Sequence, residues 1–203
     1  MAIIAQEEQL NRDLAKLGES NEDVKLLMTI PGIDFYSALG IIGEIGDVRR
    51  YPSKRHLCSD AGVVPGAYNS GDKVSEHQHV KSGNTILKYF LCTAALGIIK
   101  SNRETNVSRF YKKKAKQIGP QKARVAAARK LGAIIWKMLT TKQTYVDEDP
   151  ALTARKAIRM TRMAKAPPRP TTDEELSILA EAIGEKEDIL KRMTPEDKSD
   201  DPI

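Results

Sequence analysis

The sequence contains little cysteine and no long hydrophobic run. Its two cysteines, Cys58 and Cys92, lie far apart and match neither a disulfide framework nor a zinc-binding motif. The longest largely apolar run, residues 89–99, is about half of the roughly 20 residues that a membrane-spanning helix needs. The N-terminus lacks the basic and then apolar pattern of a secretion signal. We therefore expect a cytoplasmic protein with reduced thiols, no metal site and no membrane contact.

Aromatic residues are also few, whereas charge is abundant and unevenly distributed. Aromatic residues make up 5% and charged residues 30% of the chain, with a net charge of +6, a balance that favours a mainly helical, nucleic-acid-handling protein. Residues 100–142 hold thirteen Lys or Arg against the single acid Glu104, and residues 173–203 hold eleven acids against four bases. A basic block followed by an acidic tail indicates a polyanionic partner, although a solvated helical face would explain many such blocks.

The N-terminal residues predict a helix over 2–17. Ile3, Leu10, Leu17 and Val24 recur every seven residues, which is the spacing of a coiled coil. Two to three heptads are too few to stand alone. This helix is therefore expected to pack either on the rest of the chain or on a second copy of itself.

The next stretch predicts a helix-hairpin-helix. Ser20 is the expected N-cap of a first helix over residues 23–29, and a second helix is expected over residues 35–45. Between them, Gly32 would let the backbone approach a phosphate at the start of the second helix. Asp34 is expected to cap that helix, although its carboxylate would repel a phosphate there. A simple helical connection is the alternative interpretation.

A basic segment with one aromatic residue follows this pair of helices. Arg49, Arg50, Lys54 and Arg55 surround Tyr51, an arrangement that suits contacts with a nucleic-acid backbone and stacking of a base. The same residues would also suit an ordinary protein surface. A short helix over residues 53–61 is expected to lead from here into the centre of the chain.

A long loop and an apolar helix occupy that centre. Residues 65–84 are rich in Gly, Ser and Asn and include Ser70, whereas residues 86–99 are apolar except for Lys88. We expect Asn84 or Thr85 to cap this helix and the helix to be buried on nearly all sides. A helix N-terminus beside a loop serine is well suited to hold a phosphate. The nearby pair His77 and His79 would be either a general base for the serine or surface residues.

The C-terminal third predicts three more helices. The first, residues 121–140, has a basic side (Lys122, Arg129, Lys130 and Lys137) opposite a core side (Ala128, Leu131, Ile135, Met138 and Leu139). Lys112, Lys113, Lys114 and Lys116 precede it. A basic helix over 151–164, a proline-rich linker over 167–170 and a final helix to about residue 192, opened by a capping box of Thr172 and Glu175, follow. From residue 194 we expect disorder.

Several short motifs in this order resemble one known family. They are IPGI at residues 30–33, GEIGD at 43–47, AGVVP at 61–65, SG at 70–71 and GN-x-x-LK at 83–88. Together they resemble the C-terminal catalytic-serine domain of the IS-one-ten family of insertion-sequence transposases, over roughly residues 23–145. Lys88 stands where that family usually has arginine, which keeps the charge but not bidentate phosphate recognition.

The resemblance implies a role for individual residues. It implies that Ser70 is the nucleophile, which attacks a DNA phosphodiester and forms a transient phosphoserine linkage. In that family a separate RuvC-like domain holds magnesium, and no counterpart of it is expected here, so we expect no cofactor in this chain. The resemblance also implies DNA and a guide RNA as partners, and we expect a homo-oligomer, namely a dimer.

These observations predict a mainly α fold: a helical domain containing a helix-hairpin-helix and a long central loop, with an N-terminal coiled-coil-like helix and extended C-terminal helices. Its expected parts are residues 1–22, 23–148 and 149–203. Besides Ser70, the residues expected to bind nucleic acid are Gly32, Arg49, Arg50, Gly71, Lys81, Asn84, Lys88, Lys112, Lys113, Lys114, Lys116, Lys122, Arg129 and Lys130. The alternatives are a non-catalytic helix-hairpin-helix module that binds DNA or RNA, and an RNA-binding ribosomal or repair accessory.

Overall fold

The computed structural model describes residues 2–64 and 83–166. All regular structure in these residues is helical, as the sequence predicts. The helices are α1 (Ala2–Ser20), α2 (Glu22–Met28), α3 (Phe35–Ile45), a 3-10 turn (Val48–Arg50), α4 (Lys54–Asp60), α5 (Thr85–Lys100), α6 (Asn106–Ile118), α7 (Pro120–Thr141) and α8 (Pro150–Ala164). Residues 11–166 form one compact unit, and residues 1–10 and 167–203 are grouped in a second. The linker, the final helix and its capping box lie outside the described residues.

Side-chain caps determine where most helices begin. Asp34 accepts a hydrogen bond from the amide of Ser37, so the predicted cap of α3 is confirmed. The predicted cap of α2 is wrong by one residue: Asn21, not Ser20, accepts hydrogen bonds from the first turn of α2. Ser20 instead ends α1, where its hydroxyl donates to the Leu17 carbonyl at 3.0 Å. Because α1 continues through Ser20, only the next residue is free to take the extended conformation that a cap needs.

The break between α1 and α2 also interrupts the predicted heptad pattern. Val24 is fully buried, but it lies on α2 and so does not continue a stripe on α1. On α1 itself, Ala15 is buried and Leu14 packs against the core, whereas Leu10 and Leu17 are exposed. The structure does not describe the side chain of Ile3. The pairing of α1 with a second copy remains a prediction.

Helix α7 forms the centre of the larger unit and packs against α4, α5 and α6. The predicted core side of this helix is confirmed, since Ala128, Leu131, Ile135, Met138 and Leu139 are all buried. Trp136 is partly buried against this core, and its indole N–H donates to the Tyr51 carbonyl at 3.1 Å. That hydrogen bond connects α7 to the segment between α3 and α4.

Helix α5 is less buried than its sequence predicts. One side, with Leu87, Leu91 and Ile98, is fully buried, but Ile86 and Tyr89 are 53% and 64% exposed. The expectation of burial on nearly all sides is therefore wrong. The physical reason is that α3, α6 and α7 pack against α5 from the inner side, so the outer side of an apolar helix faces solvent.

Helix α8 is bonded to the end of α2 through Lys156, and its Met160 and Ala164 are buried in the core. Lys156 donates from Nζ to the carbonyls of Met28 and Ile30, both at 2.7 Å. The Met28 carbonyl lies in the last turn of α2, where a helix leaves acceptors without intrahelical partners, and the Ile30 carbonyl lies two residues beyond it. Lys156, which lies on the predicted basic helix over 151–164, is thus used inside the protein. Burial lowers the pKa of Lys156 to about 8.

The lowered pKa of Lys156 predicts how stability depends on pH. In the unfolded chain the amine keeps its ordinary pKa near 10.5, so between pH 8 and 10.5 the unfolded state binds more protons than the folded state. The free energy of unfolding should therefore rise with pH across this window. Urea denaturation measures the free energy of unfolding of wild type and of Lys156→Met. We expect the wild-type value minus the variant value to increase from pH 7.5 to pH 10. Lys137→Met, which removes an exposed amine from α7, is the control; a constant difference for Lys156→Met would contradict the assignment.

Candidate nucleic-acid interface

A backbone hydrogen bond joins the chain just before and just after residues 65–82, the segment that carries Ser70. The amide of Asn84 donates to the carbonyl of Asp60 at 2.6 Å. A Cβ added to Gly83 would overlap that carbonyl and lie 2.7 Å from the amide nitrogen of Gly62, so only glycine fits where the chain returns. Ser70, Gly71 and Lys81 lie outside the described residues, as do His77 and His79.

Five polar side chains lie next to the hydrogen bond between Asn84 and Asp60. They are Glu44, Arg50, Tyr51, Asp60 and Asn84, and they are called the anchor cluster below. The Asn84 amide donates to the Glu44 carboxylate at 2.6 Å and accepts from the Leu87 amide at 2.9 Å, capping α5 as predicted. The Tyr51 hydroxyl donates to the Asp60 carboxylate at 2.6 Å. The cluster therefore ties the ends of α3, α4 and α5 together where residues 65–82 begin and end.

Arg50 completes the anchor cluster. Its guanidinium contacts the Tyr51 hydroxyl, donates to the Glu44 carbonyl at 3.2 Å and lies 3.6 Å from the Asp60 carboxylate. Burial and the hydrogen bond to Asp60 raise the pKa of Tyr51, so the phenol remains a proton donor at neutral pH. The Tyr51 ring is 7% exposed. Stacking of a base on Tyr51, one of the sequence-based expectations, is excluded by this burial.

Other residues expected at the interface also have partners within the protein. Arg49 pairs with Asp47, with 3.0 Å between Nη2 and Oδ2, but both side chains are exposed and such a pair is weak enough to exchange for a phosphate. Gly32 has a positive φ of 90°, and a Cβ there would lie 2.8 Å from the carbonyl of Ala94 and the amide of Ile98. The close packing of α5 thus explains this glycine without a phosphate.

Asn84 is expected to stabilise the fold as well as the segment's end. Asn84→Ala removes the cap of α5, which costs about 1 kcal/mol, and leaves the Glu44 carboxylate without its amide donor. Asn84→Ser keeps a cap acceptor but cannot reach Glu44 in the same way, so it should retain part of the stability. Chemical denaturation measures both changes. Asn21→Ala, which removes only a cap of α2, is the reference, and an equal loss for Asn84→Ala would argue against a role for Glu44.

The basic residues of α6 lie on its exposed part. Lys112 contacts Glu104, and Lys114 donates to the Gln117 side chain at 3.0 Å. Lys113 and Lys116 are exposed and form no ion pair with an acid of the described residues. On neighbouring α7, Lys130 donates to the Asn106 carbonyl at 2.9 Å and covers the Phe110 ring, whereas Lys122 and Arg129 are exposed. Helices α6 and α7 therefore both carry exposed cations.

Two pairs of cations lie near the two thiols, Cys58 of α4 and Cys92 of α5. Burial raises the pKa of Cys58 and Cys92. Arg129 and Lys54 oppose the shift at Cys58, while Lys88 and Arg124 oppose it at Cys92, so each pair lies near its thiol. Arg124 is absent from the predicted interface. By periodicity it shares a face with Leu131 and Ile135 and would be assigned to the core, yet it is exposed.

Metal binding and membrane insertion find no support in the described residues. No group of three or more His, Cys, Asp or Glu side chains there could hold a metal ion. Glu44 and Asp60 are engaged by Asn84, Tyr51 and Arg50, and two acids with such partners do not fit the several oxygen ligands that magnesium requires. Within the same residues, no helix combines the length and the hydropathy needed to cross a bilayer.

Comparison with known proteins gives these features a context. Residues 24–112 match the model of the transposase IS116/IS110/IS902 family. The matched segment begins in α2, ends in α6 and contains Ser70, the described residues on both sides of residues 65–82 and the whole anchor cluster. It thus includes all five motifs on which the sequence resemblance depends.

Curated relatives extend the similarity to transposases beyond this segment. The chain is 31% identical to a transposase for insertion sequence element IS1111A of Coxiella burnetii, over 68% of this chain and 41% of that protein. It is 25% identical to the putative transposase y4pF/y4sB of Sinorhizobium fredii, over 70% and 38%. A transposase for element IS1328 of Yersinia enterocolitica is 30% identical over 46% and 28%. The chain therefore spans less than half the length of the relatives it matches.

Proposed function

We propose that this chain is the DNA-binding, serine-bearing part of an insertion-sequence transposase, and that it cleaves and rejoins DNA strands when joined to a metal-dependent RuvC-like domain. The observation that carries the proposal is the family match over residues 24–112, which contains Ser70 and both ends of its segment. The relatives are named transposases. Magnesium bound by the RuvC-like domain would stabilise the charge that develops at the reacting phosphate.

The anchor cluster supports a positioning role for the domain. A serine hydroxyl is a weak nucleophile and must be held close to its target. The cluster connects the ends of α3, α4 and α5 where the segment of residues 65–82, which carries Ser70, begins and ends. The first turn of α5 also presents backbone N–H groups and the positive end of a helix dipole, which favour a phosphate there. The protein thus provides a rigid base from which a serine can be presented to DNA.

The cations supply the electrostatic part of the proposal. Lys88 lies in the first turns of α5, and Lys113, Lys116, Lys122 and Arg129 are carried by α6 and α7. Exposed lysine and arginine side chains bind the phosphate backbone by releasing its counterions, without reading sequence. The same cations would bind a guide RNA. A dimer would supply one serine to each of two DNA strands. The guide RNA and the dimer are both part of this proposal.

The decisive experiment is a search for a covalent adduct. A suicide DNA substrate, in which the released fragment cannot religate, is incubated with the chain alone and with the RuvC-like domain added, in magnesium. A DNA-linked species on a denaturing gel, with a phosphoserine link located by mass spectrometry, is the expected result with both parts present. Tight binding without any adduct would favour a non-catalytic binding module. A coding region for a RuvC-like domain upstream of this one would support the proposal independently.

A further inference from the structure

Helix α8 carries three arginines on one exposed side. Arg155, Arg159 and Arg162 recur at i, i+4 and i+7, so they lie along one line of the helix. All three are exposed, and Ile158 between them is 67% exposed. These four residues are called the arginine face below. They belong to a group that lines one open pocket, namely Arg155, Ile158, Arg159, Arg162, Met163 and Ala166.

Another side of α8 is fixed to the larger unit. Met160 and Ala164 are buried in the core, and Lys156 donates to two carbonyls near the end of α2. A Cβ on Gly18 would lie 2.8 Å from Sδ of Met160, so the end of α1 also packs against this side. With 3.6 residues per turn, the buried side lies roughly 150° around the axis from the arginine face. The arginines are therefore presented by a helix whose other side is held in place.

The charge of the arginine face has no counterpart nearby in the sequence. Residues 150–166 contain five Lys or Arg and no Asp or Glu. None of the three arginines forms an ion pair with an acid of residues 2–64 or 83–166. The described part of the protein therefore leaves this charge unneutralised, and an anionic partner would complement it.

The composition of the arginine face favours a nucleic acid over a protein as that partner. The centre of a protein–protein interface is depleted of charged residues, whereas three unpaired arginines surround one exposed isoleucine here. Protein–DNA interfaces are more polar and much more positively charged. Arginine also suits this role better than lysine does, because its planar guanidinium donates two hydrogen bonds to one partner.

The dimensions of α8 favour duplex DNA over duplex RNA. The major groove of B-DNA is about 12 Å wide and admits a helix, whereas side chains cannot read the deep, narrow major groove of A-form RNA. Arg155 and Arg162 lie about 10.5 Å apart along the helix axis, which is roughly three base steps of ~3.4 Å. Helix α8 packs on its domain by one side and exposes cations on the other, as a recognition helix in the major groove does.

We propose that α8 is a DNA recognition helix, whose arginine face enters the major groove and reads guanine bases. Each guanidinium donates two hydrogen bonds to O6 and N7 of a guanine, which is the commonest specific contact between a side chain and a base. Ile158 packs against the methyl group of a neighbouring thymine. The inference rests on the proposed function only in taking DNA as the partner. It adds a sequence preference that belongs to the protein itself, whereas the cations of α6 and α7 bind phosphates without reading bases.

Selection from a pool of random DNA duplexes tests this inference. The full chain is mixed with the pool, the bound duplexes are sequenced, and fluorescence anisotropy then measures affinity for the enriched sequence. We expect an enriched sequence with more than one guanine within roughly four base pairs. Arg159→Lys keeps the charge but not the paired hydrogen bonds. It should therefore lower affinity for that sequence by roughly 5- to 150-fold and leave the salt dependence of binding unchanged.

A modified base shows whether the contact lies in the major groove. Selection with Arg159→Lys should lose the preference for guanine at one position. Replacing that guanine by 7-deazaguanine, which lacks the N7 acceptor, should weaken binding by wild type but not weaken binding by Arg159→Lys any further. Arg109→Lys is the matched control, because it makes the same change at an exposed arginine of α6 that donates to Asn106. It should leave the enriched sequence unaltered.

The outcomes separate this inference from the proposed function. DNA binding without any enriched sequence would overturn the recognition helix alone, and so would one enriched sequence shared by wild type, Arg155→Lys, Arg159→Lys and Arg162→Lys. Stronger enrichment from a pool of RNA would overturn it by showing that RNA is the partner. A change of oligomeric state in Arg159→Lys with the enriched sequence intact would overturn it in favour of a protein interface. Absence of all DNA binding would refute both proposals.

Discussion

Substitution of Ser70 by alanine should eliminate the covalent protein–DNA adduct while leaving DNA affinity within about twofold of wild type. The reason is that the Oγ atom is itself the group that bonds to phosphorus as the bond to the departing nucleotide breaks, and no neighbouring atom can replace it. Under the proposed function, binding depends on the cations of α5, α6 and α7, whose charge the substitution leaves unchanged. The adduct is measured on a denaturing gel and the affinity by anisotropy, both with the RuvC-like domain present.

The segment that holds Ser70 also supplies the control for this experiment. Ser75 and Ser82 belong to the same segment, so Ser75→Ala and Ser82→Ala remove equivalent hydroxyls without removing the proposed nucleophile. Both variants should form the adduct. An adduct in Ser70→Ala would refute the assignment, and loss of the adduct in Ser75→Ala alone would transfer the role to that residue. Equal behaviour of all variants in binding, with no adduct in any, would support a binding module.

Local signals in the sequence predict much of the fold. Asp34 followed by apolar residues and then Gly46 defines α3, whose bounds agree with the prediction. The period of Ala128, Leu131 and Ile135 identifies the buried side of α7. These features depend on capping and on helical periodicity, which act within a few residues. The cap of α3 and the core side of α7 could therefore be predicted before any tertiary contact was known, whereas the cap of α2 and the burial of α5 could not.

The site depends on contacts that no local signal contains. Glu44 and Asn84 are separated by forty positions, yet their hydrogen bond fastens α3 to α5. Arg124 has the period of a core residue and is exposed because of where neighbouring helices lie. Tyr51 looks like a stacking residue among arginines but is buried against Asp60. Which polar side chain faces inward is decided by packing between distant helices, so the sequence alone could not predict it.

Removal of charge from α6 should weaken DNA binding far more than removal of the same charge elsewhere. Lys113 and Lys116 are exposed and form no ion pair with a described acid, so each is free to neutralise a phosphate. Each such contact contributes about −0.9 to the slope of log affinity against log salt. Lys113→Gln/Lys116→Gln should therefore reduce the magnitude of the slope by about 1.8. With equal affinities of wild type and variant at 1 M salt, this change of slope corresponds to a roughly 60-fold lower affinity of the variant at 0.1 M salt.

A matched variant tests whether position or net charge matters. Lys16→Gln/Lys25→Gln also removes two positive charges, from lysines of α1 and α2 that pair with Asp13 and Glu22. If the α6 cations touch phosphates, this control should change affinity by less than about threefold and leave the salt slope unaltered, because it alters only the long-range field, which salt screens beyond about 10 Å. Equal losses in the two double variants would show that binding follows net charge. In that case α6 would not be a phosphate-binding surface, and the site of DNA contact would have to be sought on α5 and α7.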